Sequence, residues 1–245
     1  MVRFITRFVC AALLVCFFGT PPVLAAVPPM VIPGEDMPGR LGMRMDIVFV
    51  FDSTGSMYNS LVGVKADILG IMRTVVKSDP VPDARYGVVT YRDYDSSYME
   101  KHLPLTRDHA LARTFLSKVV SDGGHGEIAH VSLAMHVAVS RMNWDLDKNT
   151  ARVIFLFGDM PPHGVADGFD YKRELVVAKE KNITVNTVAC GRYPFMVTVW
   201  KEIAEATGGE FRFMAFAALL TGLDGATRII VTDCDDIWVA EALPP

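Results

Sequence analysis

The sequence is poor in cysteine and long apolar runs, and it has no excess of positive charge. Its four cysteines show no spacing typical of a zinc site. The 28 Asp and Glu residues outnumber the 24 Lys and Arg residues, so no basic surface for nucleic acid or anionic lipid is indicated. Also lacking are a G-x-S-x-G nucleophile motif, a phosphate-binding Gly-Lys loop and a dinucleotide-binding glycine fingerprint. These absences argue against several common enzyme classes.

Residues 1–25 have the pattern of a secretory signal peptide. Arg3 and Arg7 precede the apolar run 8–18, and small or β-branched residues lead up to Ala25. The apolar run is well short of the roughly 20 residues that span a membrane. We therefore expect cleavage after Ala25, no stable membrane anchor, and a secreted or periplasmic mature protein.

Cleavage would change both the charge and the cysteine content. Loss of Arg3 and Arg7 takes the basic residues from 24 to 22 against 28 acidic ones, a net charge of −6. Two of the four cysteines would also be removed, which leaves Cys190 and Cys234. In an oxidising compartment these two either form one disulfide or remain two separate buried thiols, and the sequence leaves both alternatives open.

The mature chain divides into three parts by pattern. Residues 26–42 are rich in Pro and Gly and are predicted to be a flexible leader. Residues 43–225 alternate apolar runs with amphipathic runs and are predicted to be one domain. Residues 226–245 combine an apolar segment with several acidic residues, and they are interpreted as an added strand or an ordered tail.

The alternation within the domain indicates the α/β class. Short runs rich in Val, Ile and Phe predict strands, and apolar residues at three- and four-residue steps predict helices. The predicted strands are 46–51, 85–91, 100–105, 152–157, 183–189 and 210–214; the predicted helices are 60–77, 111–120, 128–142, 172–181, 196–206 and 217–223. Such an order implies a mostly parallel sheet with helices on both faces, which binds ligands beyond the carboxyl ends of its central strands.

Oxygen-bearing side chains follow two of these buried strands. Asp52, Thr54 and Ser56 stand at alternate positions, so they point the same way in an extended turn. One carboxylate and two hydroxyls suit Mg²⁺, Mn²⁺ or Ca²⁺. The other interpretation is that they only cap the following helix. Asp159 follows another buried strand, beside the same crevice, and the alternative for it is an ordinary turn aspartate.

Four stretches resemble, in the right order, segments of von Willebrand factor A domains of the bacterial and hemicentin-like type. They are DIVFVFDSTGSM from Asp46, VVTYRDYDSS from Val88, VIFLFGDMPPHG from Val153 and ATGGEFRFM from Ala206. The first contains the D-x-[ST]-x-S pattern of the metal-ion-dependent adhesion site. The resemblance covers nearly the whole predicted domain.

This resemblance implies a three-layer Rossmann-like fold, with a mostly parallel six-stranded sheet, one antiparallel edge strand and helices on both faces. It implies a divalent cation, Mg²⁺ before Mn²⁺ or Ca²⁺, held by Asp52, Thr54, Ser56 and Asp159. It also implies that the domain is not an enzyme but binds a protein partner, which supplies an acidic residue to the metal.

The chain departs from the family pattern in the loop 122–127. The family often has a threonine ligand there, whereas this loop has His125 near that position, between Asp122 and Glu127. His125 is interpreted as a metal ligand, as a residue that holds a coordinating water, or as a loop residue only. Asp93 follows the second strand and is predicted either to orient waters on the metal or to belong to an exposed hairpin.

Two other functions remain as alternatives. A Mg²⁺-dependent phosphohydrolase of the haloacid dehalogenase type also has an aspartate after its first strand, but it needs a second carboxylate two residues later, where this chain has Thr54. The other alternative is a structural module of the same fold with a vestigial metal site.

Overall fold

The computed structural model describes most of the chain beyond the predicted leader. The described residues are 43–94, 96–123, 129–162, 168–191 and 193–214, together with the backbone of 216–221, 227–232 and 237–241. The signal peptide and leader predicted for residues 1–42 lie outside the described residues. Within the described ranges, no helix combines the length and the apolar character that a membrane crossing requires.

A six-stranded sheet with the order β3-β2-β1-β4-β5-β6 forms the centre of the molecule. Its strands are β1 (Arg44–Asp52), β2 (Asp83–Tyr91), β3 (Glu100–Thr106), β4 (Thr150–Gly158), β5 (Ile183–Ala189) and β6 (Phe211–Phe213). All neighbouring pairs are parallel except β2 and β3, which are antiparallel. The predicted mostly parallel sheet with one antiparallel edge strand is confirmed.

The described residues include five α-helices, which accompany this sheet. They are α1 (Leu61–Lys77), α2 (His109–Lys118), α3 (Val131–His136), α4 (Tyr171–Glu180) and α5 (Pro194–Ala206), with a short 3₁₀ helix at Gly55–Tyr58. Buried side chains of α1 and α2 pack with Phe49 and Phe155 on one face of the sheet. Those of α3, α4 and α5 pack with Val48 and Ile154 on the other face. The predicted three-layer fold is therefore confirmed.

The helix predicted for residues 128–142 is shorter than expected and irregular. Residues Ala129 and His130 precede α3 outside any helix, because the Ala129 N–H donates to the carbonyl of Pro161 at 3.1 Å. The regular helix passes at Val137 into one π-helical turn that ends at Arg141. A hydrogen bond to a neighbouring loop thus sets the start of this helix, which local periodicity does not reveal.

The helix predicted for residues 217–223 is wrong. Residues Phe216–Thr221 form a strand, β7, which pairs antiparallel with β8 (Thr227–Thr232). Strand β8 pairs in turn with β9 (Ile237–Glu241), so the described part of the tail consists of strands. A short apolar run such as Phe216–Leu220 fits either structure, and pairing with a distant segment decides which one forms. The domain boundary at residue 225 stays a prediction.

Candidate metal centre

The candidate centre lies where the strand order of the sheet reverses. Strand β1 lies between β2 and β4, and the helices that follow β1 and β4, α1 and α4, lie on opposite faces of the sheet. The divergence of the two connections leaves a crevice beyond the carboxyl ends of these strands. Asp52 is the last residue of β1, and Asp159 directly follows the last residue of β4.

Hydrogen bonds link the four predicted side chains. The Thr54 N–H donates to Asp52 Oδ1 at 2.7 Å, and the hydroxyls of Thr54 and Ser56 are 3.0 Å apart. The Ser56 hydroxyl donates to Asp159 Oδ1 at 3.1 Å, across 103 residues of sequence. Two carboxylates and two hydroxyls from separate stretches of chain therefore form one connected oxygen cluster.

The helix-capping interpretation of these residues finds little support in the geometry. Thr54 precedes the 3₁₀ helix with an extended backbone, but its side chain makes no capping hydrogen bond. The residue that precedes α1 is Ser60, and it makes no such bond either. The Asp52 carboxylate accepts the N–H of Thr54, which is a local turn bond and not a helix cap.

Asp52 is the most unusual group of the cluster because it is completely buried. Its Oδ2 atom has no hydrogen-bond partner among the described residues. Burial, together with the nearby charge of Asp159, raises the pKa of Asp52 to about 7. Burial also raises the pKa of Asp159. A buried carboxylate oxygen without a partner is costly unless a proton or a cation compensates its charge.

Two glycines permit close approaches around the cluster. The Gly55 N–H donates to the carbonyl of Gly123 at 2.7 Å, and a Cβ atom on Gly55 would lie only 2.8 Å from that oxygen. A Cβ atom on Gly191 would lie 3.1 Å from the Cβ of Asp159. The hydrogen bond from Gly55 thereby holds the loop segment at Gly123 against the residues that follow β1. Its continuation, with His125 and Glu127, lies outside the described residues.

Asp93 and Cys190 lie within electrostatic range of the cluster. Asp93 is buried, its Oδ1 accepts the N–H of Tyr94 at 2.8 Å, and its charge contributes to the raised pKa of Asp52. Cys190 is a buried thiol with no disulfide among the described residues, and burial raises its pKa well above the ordinary value. Cys234 lies outside the described residues, so the disulfide stays a prediction.

Sequence reasoning missed a polar hub at Ser53, between the first two candidate ligands. Its hydroxyl accepts from the Thr90 hydroxyl at 2.8 Å and from Arg92 Nε at 3.3 Å, and it is 3.0 Å from the Tyr98 hydroxyl. In an extended turn, Ser53 points away from Asp52 and Thr54. This alternation could have predicted that Ser53 faces the neighbouring strand and not the candidate metal. These bonds tie the candidate ligand loop to strand β2.

The cluster differs from a centre made of charged or imidazole ligands. No three His, Cys, Asp or Glu side chains come together as a metal-binding group in the described part of the chain. Two of the four candidate ligands, Thr54 and Ser56, are hydroxyls and so do not count among His, Cys, Asp and Glu side chains. Carboxylate and hydroxyl oxygens are hard ligands, and the chemistry of the cluster fits Mg²⁺, Mn²⁺ or Ca²⁺ better than zinc or copper.

Comparison with known families agrees with this architecture. Residues 47–162, from the first strand to just beyond Asp159, match the family model of the von Willebrand factor type A domain. Over these residues the chain is similar to a von Willebrand factor type A domain.

Two similar proteins extend this result. The VWA domain of SpRpn10, a crystal structure, superposes with a TM-score of 0.52 over 70% of this chain and 87% of that domain, at 15% sequence identity. The alpha-protein kinase vwkA of Dictyostelium discoideum is 26% identical over 126 residues. That match covers 51% of this chain but only 20% of the kinase, so it concerns a small part of the larger protein.

Proposed function

We propose that this VWA domain binds a divalent cation at Asp52, Thr54, Ser56 and Asp159 and uses it to hold a protein partner. The observation that carries the proposal is the buried Oδ2 atom of Asp52, for which the described part of the chain provides no hydrogen-bond partner. Because this oxygen lies in a cluster of hydroxyl and carboxylate oxygens, a bound cation would compensate its charge. Mg²⁺ is the first candidate, with Mn²⁺ and Ca²⁺ as alternatives.

The charge of the cluster suggests what the cation would do. Two carboxylates in direct contact would neutralise a divalent ion. The Asp159 carboxylate, however, accepts a hydrogen bond from Ser56, so the ion could contact Asp52 and the two hydroxyls more closely than Asp159. The Thr54 and Ser56 hydroxyls are neutral, so a cation held beside them and Asp52 keeps part of its positive charge. An acidic side chain of a partner would complete the coordination. Asp93 and His125 are proposed at most to orient waters or to line the rim.

The surface around the crevice supports a protein partner. Among the described residues, the exposed aromatic side chains are Tyr58, Tyr94, Tyr193 and Phe195. All four lie in segments that follow the carboxyl ends of β1, β2 or β5, which is the edge of the sheet where Asp52 lies. Exposed aromatic residues are enriched at the centres of protein interfaces. Their restriction to this edge fits a protein ligand better than a small solute.

Cation-dependent capture tests the proposal. The mature protein, immobilised and exposed to an envelope or medium extract, is expected to retain a partner in Mg²⁺ and to release it in EDTA. The Asp52→Asn variant should retain none, whereas Asp147→Asn, which changes an exposed aspartate at the other edge of the sheet, should behave as the wild type. Equal retention with and without EDTA would instead favour the structural module with a vestigial metal site.

The phosphohydrolase alternative makes a separate prediction. Thr54 stands where that mechanism needs a second carboxylate, and a threonine hydroxyl is a far weaker acid than a carboxyl group. We therefore propose that the domain is not an enzyme, and we expect no Mg²⁺-dependent turnover of p-nitrophenyl phosphate above a buffer control. Turnover that saturates with substrate and disappears in the Asp52→Asn variant would overturn this assignment.

We further propose that the protein is exported. The support is the pattern of residues 1–25, with Arg3 and Arg7 before an apolar run and a cleavage site after Ala25. The acidic mature chain, with a net charge of −6 after loss of two of its 24 basic residues, fits neither a nucleic-acid partner nor an anionic membrane surface.

A further inference from the structure

A second cavity opens beside the candidate metal centre, at the same edge of the sheet. It encloses about 350 Å³ between the start of β3, the end of α2 and the loop that follows α2. Tyr98, Phe115 and Val119 supply its apolar lining, and Lys101 and Lys118 are exposed at its rim. Its size is within the range of cavities that bind small ligands or single side chains.

The cavity is built around a tyrosine between two cations. The Arg92 guanidinium lies 4.2 Å from the centre of the Tyr98 ring, and the Lys101 ammonium lies 4.1 Å from it. Arg92 is buried and donates to the carbonyl of Val120 at 2.6 Å, and its ion pair with Asp122 spans 3.4 Å to a largely exposed carboxylate. Among the described residues, Asp122 is the acid paired with this guanidinium, and water screens its exposed carboxylate, so the positive charge of Arg92, Lys101 and Lys118 is only partly balanced.

The two rim lysines are not paired with an acid, although the exposed Asp122 also lines the cavity. Neither Lys101 nor Lys118 forms an ion pair with any of the described residues. The cavity at the opposite edge of the sheet is different, because its three arginines, Arg44, Arg85 and Arg107, each pair with an aspartate at 2.6–2.9 Å. Charge is thus balanced in one cavity and unbalanced in the other.

We infer that the Tyr98 cavity is an anion-binding subsite, which takes an aspartate or glutamate side chain of the same partner that binds at the metal. This inference rests on the proposed function, because the proposed function is what identifies the ligand as a protein. Lys101 and Lys118 pair with the carboxylate, while Tyr98 and Phe115 contact the aliphatic part of the side chain. The preferred partner segment is therefore one with at least two acidic residues.

The subsite is joined directly to the candidate ligand loop. The Tyr98 hydroxyl and Arg92 Nε both contact the hydroxyl of Ser53, which stands between Asp52 and Thr54 in sequence. A ligand that rests on Tyr98 lies one hydrogen bond away from the loop that would hold the cation. These contacts of Ser53 place the Tyr98 cavity next to the candidate metal centre, so one partner segment can reach both.

The test is a ¹H–¹⁵N NMR titration of the mature protein with a hexaglutamate peptide in EDTA, so that no metal contributes. We expect the largest shift changes at Tyr98, Lys101 and Val120. The double variant Lys101→Ala/Lys118→Ala should bind about fivefold more weakly. The variant Lys101→Arg/Lys118→Arg should keep wild-type affinity, and so should the charge-matched control Lys77→Ala/Lys148→Ala at the opposite edge.

Shift changes elsewhere, or equal weakening in the rim variant and in the control, would overturn the subsite. The proposed metal function fails separately. If addition of Mg²⁺ to the same titration changes neither affinity nor the resonances around Asp52, the cation site is wrong while the subsite stands. If Mg²⁺-dependent binding appears but the rim variant binds as the wild type, the cation site stands and the subsite is wrong.

Discussion

Replacement of Asp52 by alanine is expected to reduce the affinity for Mg²⁺ by at least about 100-fold, because loss of even an indirect ligand typically costs 10- to 100-fold. Asp52 is the completely buried carboxylate of the oxygen cluster, and its Oδ2 atom has no other partner. Isothermal titration calorimetry of the mature protein measures the change. The Asp147→Ala variant removes an equal charge from an exposed position and should bind as the wild type.

The fold of the variant is expected to survive this change. Asp52→Asn keeps an acceptor for the Thr54 N–H and removes only the charge, so it separates loss of the ligand from loss of the turn. Both variants should show the wild-type far-ultraviolet circular dichroism and a cooperative thermal transition. Unchanged Mg²⁺ affinity in a folded Asp52→Ala protein would remove the basis for the assignment.

The stability of the metal-free protein is expected to fall as the pH rises from about 4 to about 7. The pKa of Asp52 is 3.8 in its unperturbed state and about 7 in the fold, so the folded chain holds a proton that the unfolded chain has lost. Below pH 3.8 both states are protonated and the full stability is present. Above about 7 both states are ionised, and the burial of the charge costs roughly 4 kcal/mol at most.

Chemical denaturation in EDTA across this pH range measures the effect. The Asp52→Asn variant has no charge to bury, so its free energy of unfolding should lack the largest part of the decline. Mg²⁺ should restore stability to the wild-type protein near neutral pH and leave the variant unchanged, since a ligand stabilises only the state that binds it. A wild-type pH profile that matches the profile of the variant would show that Asp52 is not the group responsible.

The sheet and the position of the site were largely predictable from the sequence. Runs such as 46–51 and 152–157 are apolar on both faces, which is the pattern of central parallel strands, and both became neighbouring strands β1 and β4. The ends of these two strands had to meet at one edge because the pairing is parallel. Asp52 and Asp159 were therefore brought to the same crevice by topology that the sequence pattern already implied.

The features that escaped prediction depend on contacts between distant segments. The start of α3 is displaced by the hydrogen bond from Ala129 to Pro161, and the segment 216–221 is a strand because it pairs with β8. Arg92 is another example. An arginine directly after a strand is usually exposed, yet here it is buried and bonded to Ser53 and Val120. Only the assembled fold reveals such pairings.

The sequence placed Asp93 near the candidate metal centre but left two interpretations of its function. It is buried rather than part of an exposed hairpin, and its carboxylate accepts the N–H of Tyr94. Its charge acts on Asp52, as a residue that orients waters on the metal would require. His125 lies outside the described residues, so its three interpretations, as a metal ligand, as a residue that holds a coordinating water or as a loop residue only, stay predictions.

The most direct test of the central claim is anomalous diffraction from crystals of the mature protein grown with Mn²⁺. We expect one strong peak in the crevice, bonded to oxygen atoms of Thr54 or Ser56, with Asp52 and Asp159 in contact either directly or through one water. A peak that disappears in Asp52→Ala crystals would complete the case. An empty crevice at saturating Mn²⁺, or a manganese ion bound only at another surface, would contradict it.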